Sequence, residues 1–295
     1  MSVQHLKTWK IGDVEVTRIV EINAFEDDVA MLLPKAPADL LLSYPWMIPN
    51  FALPDGKMLI SFQAFAVKIG ERRIMVDTCI GKDREREFDV FTHMQSEFME
   101  DLAAAGFTPD RIDTVLCTHL HFDHIGWNTH LVDGKWVPTF PNARYLIGRT
   151  EWEHWQELRR TGGYHHMAHL DDAMDPVVEA GLVDLVEPHH RISEEMWLEP
   201  TPGHTPGHVS VFISSKGEEA VITGDLMHHP IQLVLPDEEV RFDMDKVAGP
   251  RTRREFVARM TDSPTLVIGS HFADPTGGWV VTDGDSLRFT DQRKG

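Results

Sequence analysis

The sequence predicts a layered α/β fold. Two observations lead there. Short, mostly apolar runs suited to burial on both faces recur at Asp113 to Cys117, Glu219 to Thr223 and Thr265 to Ile268, and helical segments with start signals alternate with them. A third is negative: no linker, low-complexity tract or short-period repeat divides the 295 residues, so one domain spanning 1–295 is the expectation.

The elements follow in order. Ile11 to Val20 alternates as a strand, with Val14, Val16 and Ile19 among polar neighbours. Residues 24–54 are apolar and punctuated by Pro34, Pro37, Pro45, Pro49 and Pro54, which reads as an arm packed on the core, a lid over a site, or an oligomer contact. That last reading leaves a homodimer open. Phe62 to Ile69 and Arg73 to Val76 read as paired strands ending in Asp77-Thr78-Cys79-Ile80-Gly81. Thr92 with Gln95 has the spacing of a capping box, Met94, Phe98 and Leu102 make a helical apolar face, and Gly106 is placed to stop the helix. Thr150 with Glu153, and Thr252 with Glu255, mark two further helix starts.

Charge narrows the partners. Against 47 Asp and Glu stand 28 Lys and Arg, a formal charge of −19, so nucleic acid and anionic membrane surfaces meet average repulsion and a small-molecule substrate is expected. No stretch approaches the ~20 apolar residues of a membrane span, and the polar start, with Gln4, His5, Lys7 and Lys10, carries no apolar leader, so a cytoplasmic protein is expected. Two cysteines, Cys79 and Cys117, are too few for a disulfide framework and read as half-buried thiols.

Histidine carries the chemistry. Directly after the Asp113 to Cys117 strand comes Thr118-His119-Leu120-His121-Phe122-Asp123-His124, four potential ligands in six residues. A tight turn at a strand end can aim His119 and His121 to one side and Asp123 and His124 to a neighbouring volume, which suits two adjacent cations; the bland alternative is a surface histidine cluster. His204 after Thr201-Pro202-Gly203, Asp225 after Val221-Ile222-Thr223-Gly224 and His271 after Leu266 to Ser270 weaken that alternative, because ligands placed just past strands converge in α/β proteins. A Ser-His-Asp triad has no G-x-S-x-G support.

These residues resemble the metallo-β-lactamase superfamily, whose H-x-H-x-D-H signature is met by His119, His121, Asp123 and His124, with His204, Asp225 and His271 following in order. The resemblance implies an αββα sandwich and two divalent ions, most simply zinc, with manganese and iron compatible with the same N/O donors. One ion would be bound by His119, His121 and His204 and the other by Asp123, His124 and His271, with Asp225 bridging. It also implies an early aspartate, matched by Asp77, that orients a ligand imidazole; a turn-capping Asp77 is the alternative. Two such ions ~3.5–4 Å apart lower the pKa of a shared water toward ~7 and clamp the oxygens of a displacement, which makes a hydrolase. His208, with the ligand complement already filled, reads as structural.

Within the superfamily the chain resembles N-acyl homoserine lactonases and, through Gly224 to Gln232 and Phe242 to Asp245, methyl parathion hydrolases. Opening of a lactone or cleavage of a related ester is therefore expected first, with phosphotriester or β-lactam hydrolysis as the alternative. A metal protein without hydrolytic turnover, or with redox chemistry, is the reading from another class. Asp123 and His228 are the catalytic candidates. His228 stands three residues past Asp225, where lactonases commonly carry Tyr; it is expected at the pocket mouth, able to protonate a leaving alkoxide, unless it merely caps the loop beside Pro230. Phe122, Trp46, Trp127, Trp152 and Trp155 are candidates for an apolar pocket, although Trp152 and Trp155 at helical spacing fit plain core as well.

Overall fold

The computed structural model describes residues 6–163 and 168–292; the first five residues of the polar start lie outside them. The chain divides into two compact units, Met1–Glu21 with Phe62–Pro188 and Ile22–Ser61 with His189–Gly295.

The first unit is built on a seven-stranded sheet, ordered β1 (Lys7–Ile11), β2 (Val14–Asp27), β3 (Met58–Ile69), β4 (Arg72–Val76), β5 (Thr114–Cys117), β8 (Arg144–Gly148), β9 (Val183–Val186). The single strand expected over Ile11 to Val20 is instead a hairpin. Gly12, at φ +56, turns the chain so that Ile11 pairs with Val14, and residues on both faces of β2 from Thr17 to Val20 are buried, which erases the expected alternation. β3 and β4 pair antiparallel as expected, and β4, β5, β8 and β9 run parallel to one another. A small two-stranded sheet, β6 (Thr129–Val132) with β7 (Lys135–Pro138), follows the histidine motif.

Helix α2 (Phe98–Ala104) buries Phe98 and Leu102, and Gly106 at φ +85 stops it as expected. Its start is later than the capping-box spacing suggests. Thr92 Oγ1 accepts from the Arg86 amide and donates to the Arg86 carbonyl, so a loop has taken the cap and Thr92 and Gln95 lie before the helix. Helix α4 (Arg149–Thr161) lies where Thr150 and Glu153 point.

The second unit is built on a six-stranded sheet, β10 (Met196–Pro200), β11 (Val209–Ser215), β12 (Glu218–Ile222), β13 (Leu266–Ile268), β14 (Gly277–Asp283), β15 (Ser286–Thr290), antiparallel except for the β12–β13 pair. Helix α8 (Ala248–Met260) starts four residues before Thr252. The Asp245 carboxylate accepts from the amides of Val247 and Ala248, while Thr252, inside the helix, donates to the Pro202 carbonyl. The apolar stretch begins as strand, since β2 runs to Asp27, and continues in short helical turns. Its Val29, Leu32, Leu33, Leu41, Met47 and Phe51 are buried in one cluster with residues such as Leu226, Ile231, Phe256 and Phe272 of the same unit. Those side chains thus fill a core, and Trp46 packs on its edge. No helix among the described residues is long and apolar enough to cross a membrane.

Candidate metal centre

In the first unit the carboxyl ends of three adjacent parallel strands each deliver part of a site, the usual place for one in a sheet of this kind. Asp77 ends β4, Thr118 and the histidine motif end β5, and Glu151 opens α4 after β8. Leu116 accepts from the Asp77 amide, which puts Asp77 beside Thr118. Asp77 is buried. Its Oδ1 accepts from the Thr118 amide at 2.8 Å, and its Oδ2 accepts from Thr118 Oγ1 at 2.8 Å and faces His124 Nδ1 at 2.9 Å.

These bonds assign the ring protons. His124 Nδ1 must donate to a carboxylate, and because the Thr118 hydroxyl proton goes to Asp77, Thr118 Oγ1 accepts from His119 Nδ1 at 3.1 Å. His119 and His124 are both left with a lone pair on Nε2. His119 Nε2 lies 3.1 Å from His121 Nδ1, and His124 Nε2 lies 3.7 Å from Asp123 Oδ2. Helix α3 (Phe122–Ile125) is a single turn that buries His124. Glu151 holds the loop before it, its Oε1 accepting from the Leu120 amide at 3.0 Å and from the Trp155 indole at 2.6 Å; the Trp155 ring stands edge-on to His121.

Beneath the motif, half-buried Glu21 accepts from the amides of Ile80 and Gly81 and from the Trp127 indole. Burial raises its pKa, and these donors act against that rise. Both thiols are fully buried, beyond the half-burial expected. Burial pushes Cys117 up to about 12 and Cys79 well above the ordinary thiol range, so neither is a thiolate nucleophile near neutral pH.

In the second unit Asp225 follows β12 and His271 follows β13, its parallel neighbour; His204 follows β10. Three imidazoles meet the buried Asp225 carboxylate: His204 Nε2 at 3.2 Å and His228 Nε2 at 3.1 Å from Oδ2, and His271 Nε2 at 3.2 Å from Oδ1. His271 Nδ1 donates to the Ser61 carbonyl at 2.9 Å, so its Nε2 also holds a lone pair. His228 is 7% exposed, stacked on His271 at 5.5 Å and 8°, with Phe242 on another side. Gln232 holds this loop, its Oε1 accepting from the amides of His228 and His229. His229, pushed down to about 4 by burial, donates from Nε2 to Phe51 O and accepts from the Ile231 amide, tying the loop to the apolar stretch.

The donors fit divalent ions. Two nitrogen or oxygen donors ~2.1 Å from a tetrahedral ion stand roughly 3.4 Å apart, and the pairs His119–His121, His204–Asp225 and His271–Asp225 are separated by 3.1, 3.2 and 3.2 Å. More telling is His271: in the neutral ring its Nε2 lone pair faces a carboxylate oxygen in a buried place, an arrangement that calls for a metal ion or an added proton between them.

Residues 63–285 match the family model described as the metallo-beta-lactamase superfamily. The chain belongs to the metallo-beta-lactamase superfamily. N-acyl homoserine lactonase of Bacillus thuringiensis is 26% identical over 186 residues, 59% of this chain and 66% of that protein, so the match spans slightly under two thirds of the lactonase's length. The probable metallo-hydrolase YybB of Bacillus subtilis (strain 168) is 26% identical over 209 residues, 68% of this chain and 81% of that protein. Among solved structures, hydrolase AbOPH in the beta lactamase superfamily superposes with a TM-score of 0.80 at 24% identity, covering 100% of both chains. AidC, a dizinc quorum-quenching lactonase, gives 0.76 at 21%, covering 98% of both. These likenesses bear out the expected α/β metallo-β-lactamase fold.

Thr118, Glu151 and the Ser61 carbonyl contribute to the candidate centre but were not read from the sequence. Thr118 carried a signal, a hydroxyl directly before the motif; the Ser61 carbonyl carried none, since every residue has one.

Proposed function

We propose that this superfamily member is a two-metal hydrolase that opens a lactone or cleaves a related ester of a small-molecule substrate in the cytoplasm. In this reading His119, His121 and His204 hold one ion, Asp123, His124 and His271 the other, and Asp225 serves both, with zinc the metal that the N/O donors suit best. The observation that carries it is the set of imidazole lone pairs held in place by Asp77, Thr118 and Ser61. When bound, the ion pair supplies a nucleophile at neutral pH from water and a clamp for the oxygens of the scissile group.

The chain's own residues do the rest. Asp77 keeps the Nδ1 protons of His124 and, through Thr118, of His119 away from the ions. His228, whose Nε2 lies beside Asp225 Oδ2, holds a proton that passes to the departing alkoxide. The test is elemental analysis of the purified protein followed by a panel of acyl homoserine lactones, aryl esters, a phosphotriester and a β-lactam. Two divalent ions per chain and fastest turnover of the lactones are expected, with activity lost to a chelator and restored by Zn²⁺ or Mn²⁺. A mononuclear iron centre that consumes oxygen would overturn the reading, and preference for the phosphotriester or β-lactam would replace the substrate.

His228→Ala separates roles. As a proton donor, the variant should keep both ions while kcat falls by roughly 10²-fold for esters with poor leaving groups, and by less for activated aryl esters. An equal loss on both substrate types removes the acid role, and loss of an ion makes His228 a ligand.

A further inference from the structure

Five residues between Thr201 and Asp225 form a hydrogen-bond chain whose protons can be placed one by one. The Asp225 backbone amide donates to His208 Nε2 at 2.8 Å. That bond fixes Nε2 as a lone pair, so the neutral ring carries its proton on Nδ1, which lies 2.8 Å from Thr201 Oγ1 and 3.1 Å from the Thr201 carbonyl. At the far end Ser210 Oγ donates to the Thr223 carbonyl at 2.8 Å, so Ser210 Oγ is the acceptor for the Thr201 hydroxyl at 3.0 Å. Every donor points the same way, from the Asp225 amide through His208, Thr201 and Ser210 back to the carbonyl two residues before Asp225. All five residues are buried, with His208 at 1%.

The chain encircles the turn that aims the Asp225 carboxylate. Gly224, at φ +55, and Asp225, at φ −94 and ψ 19, leave the β12 direction there, and the Asp225 amide has left the sheet ladder. Without His208 it would be a buried donor at the point where the backbone must hold still for three imidazoles to meet one carboxylate. The same ring ties the turn 201–208, which carries His204, because the Thr201 amide donates to the His208 carbonyl at 2.9 Å.

We propose that His208 is a positioning residue for Asp225, acting as a neutral, Nδ1-protonated acceptor for the Asp225 amide within a relay completed by Thr201 and Ser210. The inference rests on the reading of Asp225 as a metal ligand. His208 touches neither ion nor substrate; it sets the angle at which the carboxylate is presented.

The test uses the full-length holoprotein and two substitutions, with far-UV circular dichroism confirming the fold. His208→Leu removes both ring nitrogens; His208→Gln replaces them with an amide oxygen that can accept from Asp225 and an NH₂ that can donate to Thr201. Zinc affinity, measured by competition with a chromophoric chelator, should fall 10- to 100-fold in His208→Leu and return to within about threefold of wild type in His208→Gln. A merely space-filling histidine predicts unchanged affinity in folded His208→Leu, or equal losses in both variants, and either result overturns the proposal. Long-range ¹⁵N–¹H spectra of the wild type give a second readout that needs no variant: His208 protonated at Nδ1 and bare at Nε2, with a slowly exchanging Asp225 amide. The opposite tautomer, or a fast-exchanging amide, rejects the relay even if the metal-centre reading stands. A wild-type protein that takes up no zinc sinks the metal-centre reading and the positioning role together.

Discussion

Asp225→Ala is expected to yield a folded protein that takes up neither of the two proposed ions and whose activity falls by on the order of 10³-fold or more, since in the proposed reading bound ions would supply the nucleophile. Asp225 is buried among the nitrogens of His204, His228 and His271, all at 3.1–3.2 Å, and no other carboxylate among the described residues faces all three. Alanine leaves the Asp225 backbone amide in place for His208, so no buried main-chain donor is stranded. The fold should therefore survive: the substitution removes a buried charge from beside His204, His228 and His271. The informative combination is metal per chain by elemental analysis, turnover of the best ester or lactone, and the melting temperature of the metal-free forms. Retention of two ions per chain by Asp225→Ala would refute its proposed role in serving both.

Gly126→Ala should be the most damaging single-methyl change near the motif. Gly126 has an ordinary right-handed backbone, φ −56 and ψ −52, so alanine meets no conformational penalty there. The difficulty is space. A Cβ would stand 1.9 Å from the Ile80 carbonyl oxygen, 2.0 Å from its carbon and 2.6 Å from the Gly81 nitrogen, all backbone atoms. Neither side can give way easily. Glu21 grips the amides of Ile80 and Gly81, and the Gly126 and Trp127 amides donate to Cys79 and Thr78 at 2.7 and 2.8 Å. We expect a loss of about 3 kcal/mol or more, read as a fall of roughly 5 °C or more in melting temperature. Asp123 and His124, three and two residues before Gly126, are proposed ligands, so metal content should fall in the same variant. Melting within about 2 °C of wild type with normal metal content would show that the strand end is softer than its hydrogen bonds indicate.

Local patterns were legible where the local chain alone decides. The runs at β5, β12 and β13 appear where burial on both faces demands them, and Gly106 ends α2 because glycine accepts φ +85 there. Misplaced boundaries share one cause. The Thr92 and Thr252 side chains were read as helix caps, but each found a partner elsewhere: Arg86 across a loop for one, the Pro202 carbonyl 50 residues away for the other. A capping motif is a competition for hydrogen bonds, and the sequence shows only one competitor. His228 is a similar case. Its spacing from Asp225 was visible, but its bond to Gln232 and its stacking on His271 were not.

By itself the sequence determined the family, the layered α/β class and the identity of the candidate ligands, because a compact histidine-aspartate motif and strand-end placement survive in one dimension. Tertiary structure decided which nitrogen each imidazole presents. That choice is made by whatever accepts the other ring proton, and the acceptors lie far along the chain: Asp77, 47 residues from His124, and the Ser61 carbonyl, 210 residues from His271. A histidine has two equivalent-looking ends until folding gives one of them a partner.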